Sequence, residues 1–151
     1  MGLLFFIIFF IITNLLYYFI FILYLVLWDV FGENKNYNVL NGHKNAVLEV
    51  KWLTENHLIS CSADKTVSLW DANKGTRVRK YTDHTAIVNT CSIGSNNTNV
   101  FVSGSDDGYV VMWDSRSKQC IGQIEAEFPV LTTCLSSDAS SVYYAGVDNN
   151  I

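Results

Sequence analysis

Ser60-Cys61-Ser62-Ala63-Asp64-Lys65-Thr66-Val67-Ser68-Leu69-Trp70-Asp71 decides how this chain folds. Its second half alternates apolar and small residues up to a closing Trp-Asp pair, the pattern of a strand with two distinct faces. Ahead of that run, Ala63-Asp64-Lys65-Thr66 carries turn chemistry between two strand-like stretches, so the segment reads as two antiparallel strands joined tightly. The string returns 43 residues later as Ser103-Gly104-Ser105-Asp106-Asp107-Gly108-Tyr109-Val110-Val111-Met112-Trp113-Asp114. In both copies Ser to Asp is 4 residues and Asp to Trp is 6. Equal internal spacing in two copies predicts equal internal geometry.

A further Trp-Asp pair, Trp28-Asp29, closes an apolar run over residues 25–29, 42 positions before Trp70. Upstream of each complete copy another alternation begins behind a histidine. Gly42-His43 precedes Ala46-Val47-Leu48-Glu49-Val50-Lys51-Trp52, and Asp83-His84 precedes Ile87-Val88-Asn89-Thr90-Cys91. With residues 76–82 as a polar outer strand, the unit becomes four antiparallel strands in roughly forty residues, the size of a propeller blade. The expected fold is therefore all-β, a partial β-propeller with two complete four-stranded blades and partial blades on either side. The third unit, after Phe128-Pro129-Val130, has no Gly-His, and Tyr144 stands where Ser60 and Ser103 stood. Only its turn aspartate, Asp148, keeps the pattern.

Half of the 151 residues are hydrophobic, but they are unevenly placed. Residues 1–24 form a hydrophobic segment without a charged residue, and 25–151 form the repeat region. The leading run is long enough to span a bilayer if helical. It lacks a basic n-region, a cleavage site and a positive flank, and it passes without linker into a strand. Runs of Phe, Ile, Leu and Tyr are what thymine-rich DNA encodes, so a non-native origin is expected for 1–24. A membrane-associated protein is the alternative if residues 3–24 are genuine.

Net charge is −4, which gives no footprint for binding a polyanion, and no direct sequence-specific nucleic-acid contact is expected. The densest basic run, Lys74, Arg77, Arg79 and Lys80, reads as a solvated outer strand. Cys61, Cys91, Cys120 and Cys134 are 30, 29 and 14 positions apart, with no C-x-x-C, so no zinc or redox motif is indicated. Reduced thiols, no metal and no cofactor are expected. Asn96-Asn97-Thr98 matters only in a secreted chain, and His57 reads as a loop histidine.

Ser, His and Asp together suggest hydrolysis, because imidazole can activate a hydroxyl. Their recurrence at the blade period argues otherwise, since a catalytic triad is needed once. No G-x-S-x-G elbow, phosphate loop or H-E-x-x-H helix is present, so no catalytic residue is assigned.

The ordered His, Ser, Asp and Trp, with the Trp-Asp ending, resemble the WD40 repeat family. The resemblance implies hydrogen-bonded tetrads, here His43, Ser60, Asp64 and Trp70, then His84, Ser103, Asp107 and Trp113. The chemistry suits them, because a buried indole N–H and imidazole each need a partner. Finer features are the loop Val30-Phe31-Gly32-Glu33-Asn34 and the blade without Gly-His that ends Ala145-Gly146-Val147-Asp148-Asn149-Asn150-Ile151. In these the chain is similar to WD-repeat subunits of the U5 small nuclear ribonucleoprotein. That similarity implies a nuclear, non-enzymatic scaffold in pre-mRNA splicing that binds spliceosomal core proteins through exposed rims, with Tyr109 or residues 34–38 as candidates. The alternative is an adaptor, such as a ubiquitin-ligase substrate receptor or a signalling scaffold.

Overall fold

The computed structural model describes residues 24–28, 36–96 and 99–147. The hydrophobic segment as far as residue 23, the loop 30–34, the sequon positions Asn97 and Thr98, and Asp148 lie outside the described residues. Every described element is a strand: β1 Tyr24–Trp28, β2 Asn36–Asn41, β3 Val47–Trp52, β4 His57–Ser62, β5 Val67–Asp71 and β6 Thr76–Tyr81. There follow β7 Val88–Ile93, β8 Val100–Ser105, β9 Tyr109–Asp114, β10 Cys120–Glu125, β11 Val130–Leu135 and β12 Val142–Gly146. Among the described residues no helix is long and apolar enough to cross a membrane.

Two four-stranded antiparallel sheets, β3-β4-β5-β6 and β7-β8-β9-β10, are the complete blades of an open, partial propeller. The pairs β1-β2 and β11-β12 stand on either side. Burial follows from having a neighbour on each face. Every residue of β5 is buried, and every residue of β4 after His57, whereas the outer strand β6 is largely exposed. Alternate side chains serve opposite cores, as strand geometry requires. Leu58 and Trp70 pack with Leu25, Leu27 and Leu40 of the preceding pair. Ile59, Val67 and Leu69 pack with Val88, Phe101 and Trp113 of the following sheet. Val102 and Val110 then meet Val130 and Leu135.

The repeat extends to the irregularities. The first strand of each unit slips register at the same place, between Val47 and Glu49, Val88 and Thr90, and Val130 and Thr132. Outer strands carry matching bulges that leave Val78 and Ile121 unpaired and exposed. Bulges increase local twist, and blades packed around a common axis require it. His57 differs from the sequence expectation: it is the first residue of β4, and its ring Nδ1 lies 3.2 Å from Thr54 Oγ1. The short Thr54-Glu55-Asn56 turn leaves no room for a longer loop, so the strand begins directly at His57.

Candidate functional site: buried tetrads and blade junctions

Each complete blade holds one continuous polar chain inside its apolar packing. In the first, Trp70 Nε1–H donates to Ser60 Oγ at 2.8 Å, Ser60 Oγ lies 2.7 Å from His43 Nε2, and His43 Nδ1 lies 3.0 Å from Asp64 Oδ2. In the second, Trp113 donates to Ser103 Oγ at 2.8 Å, Ser103 meets His84 Nε2 at 2.8 Å, and His84 Nδ1 lies 2.9 Å from Asp107 Oδ2. The donors can run only one way for a neutral ring. Because the serine accepts from indole, its own proton goes to Nε2, which leaves Nδ1–H to donate to the carboxylate.

The turns position the carboxylates. Asp64 Oδ2 also accepts from Lys44 N–H at 2.8 Å, while Oδ1 accepts from Thr66 N–H and the Thr66 hydroxyl. Asp107 repeats the pattern with Thr85 N–H and Tyr109 N–H, but Tyr109 brings no side-chain hydroxyl to it. Burial alone would raise Asp64, yet the bonds from Thr66, Lys44 and His43 outweigh it and hold the carboxyl below its ordinary value. At Asp107 burial is likewise outweighed, by Thr85 N–H and His84. For His43 burial is the largest influence and depresses the imidazole, overcoming the attraction of Asp64. Both serine side chains are fully buried, so each hydroxyl is screened from substrate and already committed at both ends.

The third unit shows what replaces a tetrad. Register aligns Ser60, Ser103 and Tyr144, whose respective partners are Val50, Cys91 and Thr133. Ala126 stands four residues before Val130, as His43 does before Val47 and His84 before Val88, and it is buried. Tyr144 instead tilts against Phe128, ring centroids 6.1 Å apart.

Junctions between blades add contacts that spacing within one blade does not reveal. Glu49 Oε2 accepts the Cys91 backbone N–H at 2.8 Å, and Thr90 Oγ1 accepts the Thr133 N–H at 3.2 Å in the equivalent place. Ser92 Oγ accepts Leu135 N–H, and Asn89 donates to Val130 O. These partners are 41 to 43 residues apart, one blade period, so comparing residues a full period apart is the signal that would have found them. The basic outer strand is also more engaged than a solvated edge. Arg77 donates to Gly42 O and lies 5.8 Å above the Trp70 ring, while Arg79 donates to the Ser115 and Ser117 carbonyls. Tyr109 packs against the junction core and Asn38 Nδ2 donates to Ala72 O, so Tyr109 and Asn38 have internal roles, while residues 34 and 35 lie outside the described residues.

A second cluster lies at the first junction. The ligand atoms of Glu49, Cys61 and Cys91 all lie within 4.8 Å of one another, with Lys51 Nζ 3.0 Å from Glu49 Oε1. All four cysteines are free thiols. Hydrogen bonding to Cys61, then burial, push the Cys91 thiol well above its ordinary value.

Antiparallel four-stranded blades in series, each with a buried Trp-Ser-His-Asp chain, define a propeller repeat protein. Residues 34–71 and 75–114 match the WD domain, G-beta repeat, and the chain belongs to that WD40 family. It is 36% identical over 84% of its length to the pre-mRNA-splicing factor cwf17 of Schizosaccharomyces pombe, covering 38% of that protein. It is 36% identical over 83% of its length to the U5 small nuclear ribonucleoprotein 40 kDa protein of Dictyostelium discoideum, covering 36% of it. A guanine nucleotide-binding protein subunit beta of Zea mays is 42% identical over 52% of the chain, which covers 22% of that protein. The chain thus spans little more than a third of the length of the first two of these relatives.

Proposed function

We propose that this chain is part of a non-enzymatic WD-repeat scaffold of the U5 small nuclear ribonucleoprotein, acting in pre-mRNA splicing in the nucleus through spliceosomal protein partners. One observation carries the reading. The similarity to the splicing factor runs over 128 residues, more than the whole stretch 34–114 that holds the two matched repeats. The match to the Zea mays beta subunit runs over 85 residues, about what two generic blades contain. The similarity to the splicing factor therefore extends beyond the two matched repeats.

The tetrads support a scaffold role rather than catalysis. Each serine proton is held between buried groups, and the same arrangement occurs twice, one per blade. A polar chain satisfied at every link fixes the strands around it and leaves the rims to bind. Affinity purification of the full-length protein from nuclear extract tests the reading: U5 proteins should co-purify. Recovery of cullin-type ligase components, or of G-protein partners, without splicing proteins would defeat it in favour of an adaptor.

A further inference from the structure

We propose that Glu49, Cys61 and Cys91 form an interblade binding site for a thiophilic divalent cation of the zinc class. The three donors come from β3, β4 and β7, so the ion would bridge the two complete blades at their first junction. Two sulfurs and a carboxylate oxygen are a borderline-soft donor set suited to a d10 ion, with water completing four-coordination.

The size fits. Sulfur–zinc bonds are about 2.3 Å, so donors around a tetrahedral ion stand about 3.8 Å apart. The present separations, all within 4.8 Å, need only a small contraction. Charge fits as well. Two thiolates, a carboxylate and a dication sum to one negative charge, and the Lys51 ammonium, 3.0 Å from Glu49 Oε1, supplies the compensating positive one. Access comes from the Glu49 side, whose side chain is 29% exposed, while both thiols are fully buried behind it. On binding, two S–H bonds are exchanged for two sulfur–metal bonds and both protons leave to solvent, with no change of oxidation state.

The fold does not require these residues at such a place. At the second junction the register equivalents of Glu49, Cys61 and Cys91 are Thr90, Gly104 and Thr133. There Thr90 and Thr133 meet Oγ1 to Oγ1 at 3.3 Å, with no thiol or carboxylate at these three positions. The thiol pair is thus peculiar to one junction. Spacing along the chain does not show it, because the cysteines are 30 residues apart on non-equivalent strands of adjacent blades rather than in a local motif.

The full chain titrated with Cd2+ alone tests the site through the ultraviolet thiolate-to-metal charge-transfer band. One ion per chain is expected. The Cys120→Ala/Cys134→Ala variant, which alters the two less buried thiols, should keep the band at full intensity. Cys61→Ala/Cys91→Ala should lose it, and Glu49→Gln should weaken binding about tenfold or more, the scale on which even supporting partners of metal ligands act. A band absent from Cys120→Ala/Cys134→Ala overturns the site even if Cys61→Ala/Cys91→Ala fails to fold. So does a band that survives in a folded Cys61→Ala/Cys91→Ala chain.

Discussion

Strands β8 and β12 hold equivalent places in consecutive units, yet Ser103 on β8 is fully buried and Tyr144 on β12 is 37% exposed. Around Ser103 stand a histidine, a tryptophan and a carboxylate in unbroken hydrogen bonding. In the third unit Ala126 is buried at the histidine position, and Tyr144 at the serine position is in ring contact with Phe128. Where apolar walls exclude water, a buried polar chain is tolerable only if every link is satisfied within the protein. The two complete blades share the core of Val88, Phe101, Val111 and Trp113 with Ile59 and Tyr81, and their other faces pack on β1-β2 and β11-β12 respectively. The comparison teaches that where the histidine and serine positions carry Ala126 and Tyr144, ring packing on Phe128 replaces the polar chain.

Breaking the comparison at its apolar end should have the largest effect. Trp113 is fully buried, closes the second tetrad and lies 4.9 Å from the Tyr81 ring across the junction. Trp113→Ala in the full-length protein should cost about 3–5 kcal/mol, read from the denaturant midpoint. A loss under about 1 kcal/mol would show that the junction repacks around the void.

Removing the polar terminus is the next test. Asp107→Ala leaves the His84 Nδ1–H and two backbone N–H groups without their acceptor, so a loss of roughly 1–3 kcal/mol is expected. Tyr144→Ala, which removes a ring contact with Phe128 and leaves no buried donor without its acceptor, should cost clearly less. Equal losses at the two positions would remove the distinction between the units.

Much of this was legible in the sequence because its signals are local. Turn residues, strand alternation and Trp-Asp closure all fall within a dozen positions, and the eight tetrad positions implied by the WD40 resemblance lie within hydrogen-bonding reach of one another in the structure. Junction chemistry was not legible in the same way. Glu49 meets Cys91, and Arg79 meets Ser117, only because separate sheets stack, and alternation within one blade says nothing about the face of the next. His57 shows the smaller limit of sequence reading, since a strand boundary depends on how short its turn can be.

Acid separates the units by a different route. His43 is depressed in the folded chain, so its contribution is complete above its ordinary value of 6.5 and is lost as pH falls through the lower folded value. Asp64 and Asp107 are also held low, so theirs is present above 3.8 and lost on further acidification. The denaturation midpoint of the full-length protein should therefore decline first below about pH 6.5, then again below about pH 4. His43→Asn should flatten the first decline, and a wild-type midpoint constant from about pH 7 to about pH 5 would contradict the depressed imidazole.

The smallest effect compares the two complete blades with each other. Lys65 and Gly108 each follow the tetrad aspartate by one residue, and both are left-handed, with φ of 69° and 79°. Only the second blade places glycine there, so the first carries a Cβ in a conformation that disfavours it. Lys65→Gly removes that strain but adds freedom to the unfolded chain, and the two partly cancel. A net gain of about 0.5 kcal/mol is expected, with the reverse Gly108→Lys costing about 1 kcal/mol. If Lys65→Gly destabilises instead, the lysine side chain supports the turn by more than the left-handed strain costs, and the two turns are alike in backbone only.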